Sequence, residues 1–289
     1  MPTIGRSTRR AAVKVLQTKP VRSACSRLYA VQFGAGSRLP GYDALAYWFA
    51  TRQPLVAGER LDSVHFTERL FMALVERLRP DVLVEAGAKD AGVAARVKSM
   101  LPDVRAVAFE ANPFTYERFW THHATETGVE YLNLALADKP GVVEFLARAG
   151  YRGRPIADGK GSLLSRIALE RDEHVQVRVP STTLDEFFEA ERGKRVALWV
   201  DVEGAAGLVF AGGSHVLRDT SHLIVEVEER PVWNGQALRR DIVRLLRKHG
   251  LVPIARDFQS RFQFNLVFVR AGLVRSGELA ESLATAALS

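Results

Sequence analysis

The chain has 289 residues, of which 47% are hydrophobic, and a formal net charge of +7, so it can bury one sizeable core with additions or two small domains. The sequence contains no run of about 18 uninterrupted apolar residues, so no membrane span is predicted. Because Lys14 and Lys19 interrupt the N-terminal apolar pieces, no signal peptide is predicted and we expect a cytoplasmic location. The single cysteine, Cys25, allows neither an internal disulfide nor a cysteine zinc cluster.

The positive charge is concentrated near the N-terminus. Residues 1–42 contain eight basic residues and no acid, which leaves 32 basic against 33 acidic residues in the rest of the chain. After Pro20, apolar residues recur at helical spacing, so we predict a basic N-terminal helical extension over residues 1–60. Such an arm either packs on the core or contacts a membrane surface or another polyanion. The nearly neutral remainder does not favour a nucleic-acid partner.

From residue 61 to residue 289 the pattern predicts one α/β domain. Asp62 or Ser63 offers an N-cap for a helix of about 15 residues that stops before Pro80. Further helices are predicted at 91–100, from 113, and from 238 to 250. Strands are predicted at 82–84, 105–109, 129–132, 196–200, 223–227, 251–254 and 262–269. Strands that alternate with helices predict a doubly wound sheet.

The first β–α turn of such a sheet is the default ligand site. Here it comprises residues 85–92 (Glu-Ala-Gly-Ala-Lys-Asp-Ala-Gly). A phosphate-binding P-loop would need Lys and then Ser or Thr after Gly92, but Val93 and Ala94 follow. A dinucleotide fingerprint would need a glycine at Glu85, where a carboxylate is unfavourable beside a pyrophosphate. The same carboxylate suits S-adenosylmethionine, which carries an ammonium and a sulfonium, and Gly87 lets the backbone approach the ligand closely.

A second acid supports this interpretation. Glu110 ends the second predicted strand, 23 residues beyond Gly87, and a carboxylate at that place can accept both ribose hydroxyls. We therefore expect Glu85 and Gly87 to hold the amino-acid end of the cofactor, Glu110 to hold the ribose, and residues 135–138 to border the adenine. The predicted cofactor-binding residues are Glu85, Gly87, Ala88, Glu110, Ala111, Ala135 and Asp138.

The strand predicted at 196–200 delivers two further carboxylates, Asp201 and Glu203, to the same side of the carboxyl edge. Methylation of an alcohol by in-line displacement needs an aligned hydroxyl and a base that takes its proton. Asp201 is the first candidate for this catalytic role and Glu203 the second, the alternative being that one of them caps the next turn. Two carboxylates without a ligand cluster do not specify a metal, so no metal is predicted.

The stretch 148–166 is glycine-rich, with five basic residues and one acid. Such a connection is typical of a substrate lid, and equally of a surface loop. As a lid, its basic residues would favour an anionic or hydroxyl-rich acceptor. Glu226, near the end of the strand predicted at 223–227, is expected at the same cleft. The predicted acceptor-binding residues are Arg152, Arg154, Lys160, Arg166 and Glu226.

Between residues 79 and 270 an ordered set of short motifs resembles the FkbM-like S-adenosylmethionine-dependent methyltransferases. The matching pieces are residues 84–90 (Val-Glu-Ala-Gly-Ala-Lys-Asp), 109–113 (Phe-Glu-Ala-Asn-Pro), 133–138 (Asn-Leu-Ala-Leu-Ala-Asp), 181–185 (Ser-Thr-Thr-Leu-Asp), 198–204 (Leu-Trp-Val-Asp-Val-Glu-Gly), 223–228 (Leu-Ile-Val-Glu-Val-Glu) and 233–236 (Trp-Asn-Gly-Gln). The resemblance implies a class I methyltransferase fold, Rossmann-like, whose seven-stranded sheet has its last strand antiparallel. It also implies methyl transfer, usually to oxygen.

Three positions depart from the family pattern. Ala91 stands where the first turn commonly has glycine, Ala206 where a second acid is usual, and Trp199 where a lysine is frequent. We predict an S-adenosylmethionine-dependent O-methyltransferase that acts on a hydroxyl of a small molecule, sugar or glycan. The alternative favoured by Ala91 and Ala206 is a non-catalytic cofactor-binding or scaffold protein of the same fold. A nucleic-acid methyltransferase is a further alternative, although the Asn/Asp-Pro-Pro-aromatic element of amino-directed enzymes is absent at the fourth strand.

Overall fold

The structure of the protein is a computed structural model that describes residues 57–122, 126–149, 156–157, 159–167, 174–257, 260, 262–276 and 279. Of the predicted N-terminal extension, only residues 57–60 lie in these ranges, as the first residues of a helix. None of the helices in the described ranges is long and apolar enough to cross a membrane.

The described residues form ten strands and eight α-helices. The strands are β1 (Val82–Ala86), β2 (Arg105–Phe109), β3 (Glu130–Leu132), β4 (Ala135–Leu136), β5 (Gly141–Arg148), β6 (His174–Thr182), β7 (Val196–Val200), β8 (Thr220–Glu228), β9 (Leu251–Arg256) and β10 (Gln263–Arg270). The helices are α1 (Ala57–Leu78), α2 (Gly92–Met100), α3 (Pro113–His122), α4 (Leu184–Phe187), α5 (Ala206–Ala211), α6 (Ser214–Asp219), α7 (Arg239–Lys248) and α8 (Ala271–Ser276).

The main sheet within the described ranges has seven strands in the order β3-β2-β1-β7-β8-β10-β9. The pairs from β3 to β8 are parallel, whereas β10 runs antiparallel to both β8 and β9. The predicted class I fold with an antiparallel last strand is therefore confirmed. The chain steps outward from β1 to β3 and later returns to β7 beside β1, so the strand order reverses between β1 and β7. Ligands of doubly wound sheets bind at the carboxyl ends of the strands at such a point.

The burial of the central strands β1 and β7 agrees with their mostly apolar sequences. Every residue of β1 is buried, and all of β7 is buried except the partly exposed Trp199, as expected for parallel strands that are covered by helices on both faces. On one face, α1 packs against β8, β9 and β10, with Phe71, Leu74 and Val75 fully or almost fully buried.

The predicted start of α1 was wrong. Both Asp62 and Ser63 lie inside a helix of 22 residues that begins at Ala57. An N-cap residue needs a non-helical backbone, so neither residue caps this helix.

A second, three-stranded sheet of the order β4-β6-β5 was missed by the sequence analysis. Strand β5 pairs antiparallel with β6 from Gly141 opposite Ser181 to Arg148 opposite His174. Its residues alternate only weakly between exposed and buried, so the strand pattern is faint in the sequence. Phe145, Ala147 and Val179 nevertheless form a small separate core with Ala135. This sheet supplies one wall of the cleft described next.

Candidate active site at the carboxyl edge of the sheet

A cleft opens at the carboxyl ends of β1 and β7, where the strand order reverses. Four of the predicted cofactor-binding residues line it, together with the first catalytic candidate: Gly87, Glu110, Ala111, Ala135 and Asp201. Leu136, in the segment 135–138 that was expected to border the adenine, also lines it. The structure adds apolar lining residues that the sequence analysis did not find: Leu134, Phe145, Leu163 and Val202. The cleft therefore has polar groups on the β1–β2–β7 side and an apolar wall from the second sheet.

Gly87 is required where the first turn meets the end of β7. Its φ is +76°, in the region that favours glycine. A Cβ at this position would lie 1.7 Å from the carbonyl oxygen of Asp201, so any side chain would push the two turns apart. The backbone N–H of Asp201 also donates to the carbonyl oxygen of Ala86 over 2.9 Å. Because Gly87 has no side chain, the backbone of Asp201, the first catalytic candidate, can lie directly against the first turn.

Glu85 lies beneath this turn and not along the cleft. Its carboxyl group is buried, and Oε2 accepts a hydrogen bond from the backbone N–H of Ala94 over 2.6 Å, in the first turn of α2. Burial raises the pKa of Glu85 to about 8, although backbone hydrogen bonds from Ala94 and Val93 oppose the shift. The geometry makes Glu85 a support for the start of α2, and its contact with the amino-acid end of a cofactor stays a prediction.

Glu110 has the geometry expected for a ribose-binding carboxylate. It is buried at the end of β2 and lines the cleft. Its Oε2 accepts from the backbone N–H of Lys89 and its Oε1 from that of Asn112, each over 2.7 Å. These two hydrogen bonds orient the carboxylate at the edge of the cleft. The side-chain amide of Asn133 donates to the Glu110 carbonyl oxygen over 2.9 Å and holds the same segment from β3.

The two remaining predicted cofactor-binding residues, Ala88 and Asp138, do not line the cleft. Ala88 is buried and does not line the cleft. Asp138 is exposed in the turn between β4 and β5, outside the cleft, whereas Leu136 faces it in the same segment. The alternating Val143 and Phe145 of β5 were the signal that could have pointed to the apolar wall.

The catalytic candidates belong to a larger group of acids at this edge. Asp201 is exposed to the cleft, yet the surrounding protein atoms displace enough water to raise its pKa to about 6; the charge of Lys89 opposes this shift and that of Asp257 adds to it. Burial raises the pKa of Glu203 to about 7, with Asp201 and Glu228 adding to the shift and Arg166 and Lys160 opposing it. Both residues therefore change protonation near neutral pH.

Two acids of β8 complete the group. Burial, with Asp201 and Glu203 adding to it, raises the pKa of Glu226 to about 9, while the side-chain amide of Gln263 donates to its Oε1 over 2.8 Å. Burial also raises the pKa of Glu228 to about 7. Within the described ranges, no three His, Cys, Asp or Glu side chains are placed to hold a metal ion. What the group offers chemically is a set of carboxylates that can accept and share a proton near pH 7.

Of the predicted basic contacts, Lys160 and Arg166 lie in the segment 159–167, whose Gly159, Gly161 and Leu163 line the cleft. Both cations act on the pKa of Glu203, which places them on the side of the acids. The Arg166 guanidinium also lies over the Trp233 ring, 5.2 Å from its centre. The other two predicted contacts, Arg152 and Arg154, fall outside the described residues.

The structure shows where the three residues that depart from the family pattern lie and what they contact. Ala91 is buried with φ 48° and ψ 34° directly before α2, so an alanine here adopts the left-handed conformation that glycine prefers. Ala206 is buried as the first residue of α5. Trp199 packs edge-on against Phe71 of α1, with ring centres 5.2 Å apart, and does not line the cleft. None of the three side chains obstructs the cleft.

Comparisons with known proteins match the part of the chain that forms this cleft. A model of the methyltransferase FkbM domain matches residues 85–252, a range that contains every residue lining the cleft. The chain is 26% identical over 190 residues to the 2-O-methyltransferase NoeI of Sinorhizobium fredii (strain NBRC 101917 / NGR234), a match that covers 64% of this chain and 78% of that protein.

Two solved structures are also similar. The precorrin-6y C5,15-methyltransferase of Geobacter metallireducens GS-15 is 14% identical with a TM-score of 0.35, over 76% of this chain and 92% of that one. The 1,6-didemethyltoxoflavin-N1-methyltransferase of Burkholderia thailandensis, solved with S-adenosylhomocysteine, is 10% identical with a TM-score of 0.37, over 93% and 92% of the two chains.

Proposed function

Because the chain belongs to the FkbM methyltransferase family and is therefore an S-adenosylmethionine-dependent methyltransferase, we propose that it methylates a hydroxyl oxygen of a small molecule, sugar or glycan. The observation that carries this proposal is the pair Asp201 and Glu203 at the carboxyl edge of the sheet, with pKa values of about 6 and about 7. A general base works best when its pKa lies near the operating pH. The name of the similar 2-O-methyltransferase supports oxygen as the accepting atom.

The residues of the cleft fit S-adenosylmethionine. Glu110, oriented by two backbone N–H groups, is suited to accept the ribose hydroxyls. The apolar side chains of Leu136 and Phe145 are suited to cover the adenine. Gly87 keeps the first turn free of a side chain, so the backbone can approach the amino-acid end. When bound, the cofactor supplies an electrophilic methyl group on a sulfonium.

The acids supply the other half of the reaction. An acceptor hydroxyl placed beside Asp201 would be held in line with the methyl carbon. The hydroxyl proton would pass to Asp201 or Glu203 while the hydroxyl oxygen takes up the methyl group that S-adenosylmethionine would supply, so the products would be an ether and a thioether. Glu226 and Glu228 lie close enough to shift charge within the group as the proton arrives.

The surroundings favour a polar, hydroxyl-rich acceptor. Lys160 and Arg166, from the segment 159–167, act on Glu203, so hydrogen-bond donors and acceptors are both present beside that carboxyl group. Such a mixture suits hydroxyl groups, which donate and accept. We also propose that the protein does not act on nucleic acid, since the described acids would repel phosphates at the reacting end of the cleft.

The test begins with calorimetric titration of the full chain with S-adenosylmethionine and S-adenosylhomocysteine, followed by transfer of labelled methyl to a panel of hydroxylated acceptors. Saturable cofactor binding with label recovered in an ether supports the proposal. Cofactor binding with label recovered on nitrogen or carbon would overturn oxygen as the target. Binding without any transfer across sugars, glycans and small alcohols would favour the non-catalytic alternative.

A further inference from the structure

A short segment of the chain crosses the mouth of the cleft and is tied on both sides. We call residues 159–167 the strap. Towards the second sheet, the N–H of Leu146 donates to the carbonyl oxygen of Ser162 over 2.8 Å, and the N–H of Ser162 donates to that of Leu146 over 3.1 Å. Towards the loop after β8, the N–H of Ile167 donates to the carbonyl oxygen of Val232 over 3.0 Å. The strap is therefore anchored to the second sheet on one side and to the loop after β8 on the other.

Within the strap, Ser162 makes a contact that the proposed chemistry does not account for. Its side chain is almost fully buried, with 1% exposed. The hydroxyl donates to the carbonyl oxygen of Glu203 over 2.7 Å and accepts from the N–H of Leu164 over 3.1 Å. One serine thus connects the strap to the backbone of the second catalytic candidate.

The backbone at Glu203 needs such support. Its φ is +46°, and a non-glycine residue persists in this left-handed region only where its surroundings hold it. The following residue, Gly204, has φ +83°, and a Cβ there would lie 2.3 Å from Cδ1 of Trp233. The turn 203–204 is therefore enclosed between Ser162 on one side and the Trp233 indole on the other.

We propose that Ser162 is a positioning residue for Glu203, which it holds at the carboxyl edge of the sheet, next to Asp201 and Val202 of the cleft wall, by tying the turn 203–204 to the strap. This inference rests on the proposed methyl transfer to a hydroxyl. An acceptor that enters below the strap meets Gly159, Gly161 and Leu163, so the same segment that covers the acceptor also sets the position of the carboxylate. The strap would then both cover the acceptor and hold the proposed base, Glu203, in position.

The matched pair of variants is Ser162→Ala and Ser165→Ala. Ser165 lies in the same strap and is exposed, and its Oγ accepts from the side-chain amide of Asn234, in the loop after β8, over 3.0 Å. We expect Ser162→Ala to lower kcat about ten- to a hundredfold, because small displacements of a catalytic group are costly. KM and cofactor affinity should stay within about twofold. Ser165→Ala should keep the wild-type kcat, and Ser162→Thr, which retains the hydroxyl, should recover most of the loss.

A second measurement does not depend on activity. The Glu203 carboxylate can be titrated by carbon-13 NMR in both variants. The groups that face it are Asp201 and Glu228, which raise its pKa, and Arg166 and Lys160, which lower it. Glu226 of β8 also interacts with Glu203, but its own pKa of about 9 keeps it protonated where Glu203 titrates. Both cations belong to the strap, so releasing the strap removes cations and the pKa of Glu203 should rise in Ser162→Ala but not in Ser165→Ala.

The outcomes separate the two proposals. Equal kcat and equal Glu203 titration in the two alanine variants would overturn the role of Ser162, as would a loss of kcat that merely parallels a loss of cofactor binding. If the wild-type chain transfers no methyl to any hydroxyl, the proposed function fails, and the titration still decides whether Ser162 positions Glu203. Should Ser162→Ala not fold, Ser162→Thr and Ser162→Cys give the same comparison with graded donors.

Discussion

Glu110, at the end of β2, accepts a hydrogen bond from the backbone N–H of Lys89, in the turn after β1, over 2.7 Å. The carboxylate that is expected to bind ribose therefore also fixes the turn that is expected to hold the other end of the cofactor. We therefore expect these two motifs, 21 residues apart in the chain, to act as one binding element.

Replacement of Glu110 by alanine should abolish this element. Hydrogen bonds to a charged group contribute about 1.5–3 kcal/mol each, so we expect Glu110→Ala to weaken S-adenosylhomocysteine binding at least about tenfold in calorimetric titration. Glu144→Ala, which removes an exposed acid of β5, is the control and should bind normally. Unchanged affinity in a folded Glu110→Ala protein would place the ribose elsewhere.

Loss of the proposed base should lower turnover without loss of the cofactor. We expect Asp201→Asn to reduce kcat by about 10²–10⁴-fold, the usual contribution of a general base, while S-adenosylmethionine binding is retained. In the wild type, the base must be ionised, and pKa values of about 6 for Asp201 and about 7 for Glu203 predict that kcat/KM rises with pH between 5 and 8. Asp241→Asn, an exposed site on α7, is the control. A flat profile over this range would argue against both carboxylates.

The buried acids should also make the fold less stable as pH rises. Glu85 and Glu226 have folded-state pKa values of about 8 and about 9, above the value of about 4.3 for an unfolded glutamate. The folded state thus binds more protons, and its stabilisation, complete below pH 4, is lost as pH rises through 8 to 9. His222 acts in the opposite direction, but only below about pH 6.5, because burial lowers its pKa to about 3. We expect Tm to fall from pH 6.5 to pH 9.

The variant Glu226→Gln isolates one of these groups. Its amide oxygen can still accept the hydrogen bond from Gln263, but the side chain no longer titrates. Thermal unfolding at several pH values should show a shallower decline of Tm between pH 6.5 and 9 than in wild type. Glu144→Gln, at an exposed site, should follow the wild-type slope. Parallel slopes for all three proteins would mean that Glu226 is ionised in the folded state.

Two effects of replacing Gly87 can be separated by comparison with Gly193: the contact with the Asp201 backbone and the strain of a positive φ. Gly87 and Gly193 have similar φ values, +76° and +80°, but a Cβ would meet the Asp201 carbonyl oxygen at Gly87 and nothing within 4 Å at Gly193. Alanine in the left-handed region costs about 1–2 kcal/mol, so Gly193→Ala should lower the free energy of unfolding by about that amount. Gly87→Ala should cost clearly more and should also abolish cofactor binding. Equal losses in denaturant unfolding would show that the two turns can separate freely.

Much of the main sheet was predictable because its signals are local. The runs at β1, β2 and β7 are short, apolar and buried, and each ends in an acid, Glu85 within β1 and Glu110 and Asp201 just after β2 and β7. Parallel strands place their carboxyl ends at one edge, so the acids had to gather there. The predicted strand β7 agrees residue for residue with the structure.

The second sheet could not be predicted in the same way. Strand β5 pairs with β6 across an intervening stretch of more than twenty residues, and the alternation of Val175, Val177 and Val179 in β6 does not indicate which other strand β6 pairs with. The start of α1 was misplaced for a related reason: Asp62 and Ser63 are good caps by residue type, but a helix that continues through them satisfies the same backbone groups.

The sequence by itself determined the family, the succession of the main strands along the chain and the edge at which the acids gather, because these follow from short motifs of neighbouring residues. Only the tertiary structure decided which of those acids face the cleft. The Glu85 carboxylate lies beneath the first turn, where it accepts a hydrogen bond from the N–H of Ala94. The carbonyl oxygen of Glu203 accepts a hydrogen bond from Ser162, 41 residues away in the chain. Contacts of this kind arise from packing, which no short pattern of residues encodes.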